Sequence, residues 1–122
     1  MKLPVALLVM GLSGLVSAGA AETLPPLPAD VRFYTVADFP DLTESATYND
    51  LMPERAREDE VEGMATVECV VGENARYSAC AIVSENPRGY GFGEASVAYQ
   101  LFTQKAYGEP GRVGRSTVKW SP

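Results

Sequence analysis

Two cysteines are the most reactive side chains in this chain, and both fall in the stretch Val67–Glu85, VECVVGENARYSACAIVSE. Cys69 and Cys80 flank a single tight turn. Two thiols can bond to each other, act as a redox pair, or lie buried and reduced. They cannot complete a tetrahedral zinc site, and the chain has no histidine to help them. Nor do they form the C-x-x-C spacing of a thiol oxidoreductase. The absence of histidine also removes the usual general base. Ser78, Ser84 and Ser96 have no evident base partner, and Asp59, Glu60 and Glu62 fall in an acidic run of the solvated-face type. The glycines at 89, 91 and 93 give G-x-G-x-G, without the spacing or the Lys-Ser/Thr of a phosphate loop. These residues predict no enzyme, no cofactor and no metal.

The elements around the cysteines favour a bond between them. Ala65, Val67, Cys69 and Val71 lie on one face and Thr66 and Glu68 on the other, as in a half-buried strand running from Gly63 to Val71. A second strand is predicted from Arg76 to Ser84, with Ser78, Cys80 and Ile82 on one face. If Asn74-Ala75 forms a two-residue loop, Cys69 lies directly opposite Cys80. Opposed Cβ atoms in an antiparallel pair come within ~4.5–5.5 Å, and closer in a non-hydrogen-bonded pair. Such a bond closes a short loop, so its contribution should fall under ~3 kcal/mol. Ala75 is an awkward turn residue, because a positive φ there would suit glycine.

The flanks complete the outline. MKLPVALLVMGLSGLVSAGA carries Lys2, an apolar run and Ala18-Gly19-Ala20, the pattern of a cleaved secretory signal over residues 1–20. An uncleaved membrane anchor is the alternative. Export fits a disulfide. Residues 21–47 are expected to be extended or irregular. Pro25, Pro26 and Pro28 forbid a helix, and Val31–Val36 is either an extra edge strand or a segment laid on the surface. A helix is predicted around Pro53, capped by Asn49 or Asp50 or starting at Met52, with Leu51, Met52 and Ala56 buried. Another follows Gly91: Phe92, Ala95, Ala98, Tyr99, Phe102 and Ala106 face the core, and Glu94, Ser96, Gln100 and Gln104 face water. A strand, Arg115 to Trp120, comes last. Charge is uneven: eleven acids and three arginines lie between Glu22 and Glu62, against five acids and six basic residues after it. That balance is unsuited to nucleic acid or anionic lipid.

The ordered series Pro53-Glu54-Arg55-Ala56, Val61-Glu62-Gly63, MATVECVV, GENARYSACAIVSENP, GFGEAS and a final G-x-x-x-V-x-W strand resembles the TonB C-terminal domain family over residues 48–120. The resemblance implies an α+β fold over residues 48–122, ordered helix-strand-strand-helix-strand, with a three-stranded antiparallel sheet packed on helices. It implies a periplasmic binding module whose last strand pairs with an extended segment of an outer-membrane receptor or other envelope protein. On this chain that strand is Arg115, Ser116, Thr117, Val118, Lys119 and Trp120. Arg115, Thr117 and Lys119 share one face, with Val118 and Trp120 on the other. Arg115 and Lys119 equally suit charges that keep an edge from pairing, and an edge strand also allows a homodimer. An inner-membrane-anchored energy transducer is the alternative implied. Against it, the chain lacks the family's membrane histidine, and Leu24–Pro28 reaches less than ~20 Å at ~3.1 Å per residue.

Overall fold

A computed structural model describes residues 26–122. The expected signal sequence, residues 1–20, lies outside them. Among the described residues no helix is long and apolar enough to cross a membrane.

The elements, in chain order, are β1 (Phe33–Tyr34), a 3-10 turn (Val36–Asp38), α1 (Tyr48–Leu51), α2 (Glu54–Glu58), β2 (Gly63–Val71), β3 (Tyr77–Asn86), α3 (Phe92–Thr103) and β4 (Val113–Trp120). The fold is α+β, as expected, but the antiparallel sheet has four strands rather than three, ordered β1-β3-β2-β4. The fourth is β1, which pairs Phe33 with Ala81 and Tyr34 with Cys80. It is the extra edge strand that Val31–Val36 allowed, although only two of those residues pair. Their neighbours hold them: Arg32 bonds Asp38 at 2.6 Å and lies 4.4 Å from the Tyr34 ring centre, while Tyr34 also packs against Phe39.

β2, one of the two inner strands, alternates as predicted, with Ala65, Val67, Cys69 and Val71 buried. α3 covers this face, and Phe92, Val97, Ala98, Leu101 and Phe102 complete the core with Val118 and Trp120. Two residues expected on the wet side of α3 are buried instead, Ser96 at 0% and Gln100 at 7% exposed. The reason for Ser96 is a distant partner: its hydroxyl accepts the Trp120 indole N–H at 2.8 Å and donates to the Phe92 carbonyl at 2.7 Å. A polar atom so satisfied costs little to bury. Arg76 closes the other end of α3. Its guanidinium donates to the carbonyls of Leu101 and Phe102, both at 3.0 Å, where a helix leaves acceptors unpaired and favours a cation.

The helical segment around Pro53 is two short helices. Proline disfavours the helical conformation in the residue before it, and Met52 is accordingly extended, at φ −56 and ψ 126. The cap is Thr47, whose side chain accepts from the Asp50 N–H while the Asp50 carboxylate accepts from the Thr47 N–H at 3.0 Å. Asp50 thus serves the capping box from its third position. Leu51, Met52 and Ala56 are buried, as the spacing required. The hairpin turn has Asn74 and Ala75 both at φ 58, closed by the Arg76 N–H on the Glu73 carbonyl at 3.1 Å. Two central residues at positive φ mark a primed turn, which matches strand twist.

Candidate partner-binding edge

β4 lies at one end of the sheet, with β2 as its strand neighbour among the described residues. It starts two residues before the predicted strand. Within it, Val118 and Trp120 are buried, at 7% and 0% exposed, and Arg115, Thr117 and Lys119 take the opposite face. Trp120 anchors the strand from below. Its ring stacks on Tyr48, centroids 4.5 Å apart, and meets Tyr99 edge-on at 5.9 Å. On the other face Arg115 Nε donates to Glu68 Oε1 at 2.8 Å, with both side chains mostly covered, and the Thr117 and Thr66 hydroxyls share a hydrogen bond of 2.8 Å. These cross-strand pairs tie β4 to β2.

The direction of the backbone groups follows from one contact. The Tyr48 hydroxyl donates to the Lys119 carbonyl at 2.8 Å and accepts from the Ser121 N–H at 2.9 Å. The Lys119 carbonyl therefore points away from β2. In an antiparallel strand, N–H and C=O of one residue point the same way and alternate along the chain. The register between β2 and β4 runs without a shift. The outward set is then Val113, Arg115, Thr117 and Lys119, and the inward set is Gly114, Ser116, Val118 and Trp120. Tyr48 and Ser121 fasten the Trp120 end of this edge. Nothing local in the sequence marks that clasp, since Tyr48 and Lys119 are 71 residues apart.

The same alternation explains the cysteines. Gly114 belongs to the inward set and pairs with Cys69. Cys69 therefore spends its backbone groups on β4 and faces Cys80 as a non-hydrogen-bonded pair, the closer of the two kinds. Their Cα atoms are 4.0 Å apart and the sulfurs are bonded, at 2.07 Å. Both cysteines are buried, at 3% and 0% exposed, which shields the bond.

The remaining residues with chemical potential are dispersed. Asp59 accepts from the Tyr90 hydroxyl at 3.1 Å and lies 3.9 Å from Arg55. That hydrogen bond, together with burial and the carboxylate's charge, holds the Tyr90 hydroxyl above its ordinary pKa. Glu62 accepts from the Ser121 hydroxyl at 3.3 Å, at the far end of the sheet. Ser78 donates to the Val70 carbonyl at 3.3 Å, and Ser96 holds Trp120. Gly89 and Gly91 form the turn into α3, both at positive φ, and Gly93 is buried in the first turn of the helix. Among the described residues no His, Cys, Asp and Glu side chains group as a metal site would need. Comparison with known proteins finds no family model that matches the chain, and no match among curated proteins or solved structures.

Proposed function

We propose that this chain is an exported, TonB-like binding module that takes an extended segment of an envelope protein or outer-membrane receptor as an added strand along β4. The observation that carries the reading is the outward direction of the Val113 and Thr117 backbone groups, which take no partner among the described residues. An added strand gains affinity from such groups and selects through alternate side chains. The signal-like residues 1–20 and the shielded disulfide support an oxidising compartment, here the periplasm. The resemblance over residues 48–120 supports the class of partner. The clasp sets a limit: the segment pairs along Val113–Thr117 and stops before Lys119, whose carbonyl Tyr48 already holds.

The test is an array of extended peptides tiled across envelope proteins of the same cell, probed with the full chain. Thr117→Pro removes an outward N–H while leaving the inward ladder to β2, so it should keep the fold and lose the peptide. Thr117→Ala removes only the side chain and should keep the peptide. Binding that survives Thr117→Pro, or an array with no binder, refutes the reading. Pairing of two copies along β4 would instead appear as a dimer that Thr117→Pro dissolves.

A further inference from the structure

A second surface lies on the helical side, away from β4. The segment after the 3-10 turn crosses α3 and leaves an open groove of about 340 Å³ between itself, α1, α2 and the start of α3. Its floor is apolar, formed by Phe39, Leu42, Leu51, Ala95 and Ala98. Its rim carries Asp50, Glu54 and Glu94, and no lysine or arginine lines it. Asp41 and Asp50 line the next depression along the same segment. Each rim acid has a local task. Asp50 closes the capping box of α1, and Glu54 and Glu94 stand in the first turns of α2 and α3, where a negative charge is favoured. Those tasks explain the acids one at a time. They do not explain why three of them converge on one apolar floor. Neither Glu54 nor Glu94 has a basic partner among the described residues.

A concave surface walled by one sign of charge concentrates the opposite sign, and an apolar floor rewards a side chain that leaves water. We infer that this groove binds a protein segment presenting a lysine or arginine beside an apolar residue. A neutral apolar segment would leave the carboxylates uncompensated, and a purely basic one would leave the floor wet. The groove shares no lining residue with β4, so it stands whether or not strands add to that edge.

The test selects a random-peptide phage library on the full chain, and titrates a synthetic copy of the enriched sequence into isotope-labelled protein. Enriched peptides should pair Lys or Arg with Leu, Ile or Phe. Amide shifts should gather at Leu42, Leu51, Ala95 and Ala98. Glu54→Lys with Glu94→Lys should weaken binding at least tenfold with the circular dichroism spectrum unchanged, and Thr117→Pro should leave it as it was. Four results overturn the inference: no enrichment, enriched sequences without basic residues, binding indifferent to the charge reversal, or shifts confined to β4.

Discussion

Replacing Ser96 with alanine removes one oxygen from the middle of α3, and the consequence falls on the last residue of β4. The Ser96 hydroxyl is the acceptor for the Trp120 indole N–H, at 2.8 Å, and both residues are fully buried. In Ser96→Ala that N–H stays buried without a partner, at a cost of about 1–3 kcal/mol. Alanine regains a few tenths of a kcal/mol in helix propensity, so the net loss should be about 1–2 kcal/mol. For a domain of this size that lowers the melting temperature by on the order of 5–15 °C. Trp120→Phe removes the donor and leaves Ser96 with its bond to the Phe92 carbonyl, so in that background Ser96→Ala should cost roughly nothing. The assay is a double-mutant cycle in urea, with all four proteins followed by far-ultraviolet circular dichroism because two of them lack the only tryptophan. A coupling of about 1–2 kcal/mol is expected. Equal losses in both backgrounds would refute the idea that this hydrogen bond holds the end of β4.

Three other outcomes follow from single contacts. Ala75→Gly should raise stability by up to about 1 kcal/mol in the same urea assay, because alanine at φ 58 carries a left-handed penalty that glycine avoids. Gly63→Ala should destabilise by about 1–3 kcal/mol, since a Cβ there would overlap the Phe92 ring in the core. The Thr35 backbone N–H and then the Arg32 guanidinium hold the Asp38 carboxyl below its ordinary 3.8. Its contribution is therefore present above the unfolded value and lost as pH falls through the lower folded one. Hydrogen exchange of residues 31–39 should speed up relative to the rest of the domain on going to such acid pH, and Asp38→Asn should speed it at neutral pH and flatten the dependence.

How much of this was legible depends on the range over which a residue's reason acts. The faces of β2 and β4 could be read because alternation is local: Val67 and Cys69 buried, Thr66 and Glu68 opposite. The opposition of Cys69 and Cys80 could be read because a two-residue turn sets register nearby, even though the ladder shifts on either side of that pair. The break at Pro53 was in principle readable from the restriction on Met52, yet a run of good helix formers suggested one helix. Ser96 and Gln100 could not be placed, because polarity alone assigns them to water, and the indole that redeems Ser96 lies 24 residues away. The fourth strand falls within Val31–Val36, where the sequence left an extra edge strand and a surface segment both open, and its short length kept the pattern from deciding between them. Phe33 and Tyr34 are held by Arg32, Asp38 and Phe39 rather than by a strand pattern. The edge position of β4 was expected, but the Tyr48 clasp that shortens it was not.

The disulfide takes on a sharper meaning once the directions of the backbone groups are known. β2 sits between the hairpin strand and the edge strand, and Cys69 sits on β2 with its backbone turned to β4 and its sulfur turned to β3. One residue thus joins both neighbours, by hydrogen bonds on one side and a covalent bond on the other. A load applied along β4 passes into the β2 ladder, and at Cys69 it reaches a covalent bond to β3 that no hydrogen-bond slip can relieve. The Thr66–Thr117 and Glu68–Arg115 pairs flank that path on the opposite face. If the edge takes up a partner as proposed, the sheet must resist being peeled, and peeling starts at the outermost ladder. Tyr48 and Trp120 secure one end of β4, while Cys69 secures the strand beneath it near the other, opposite Gly114. On the proposed reading, the added strand pairs along Val113–Thr117, the stretch that Cys69 backs through Gly114 and that ends before the Tyr48 clasp at Lys119.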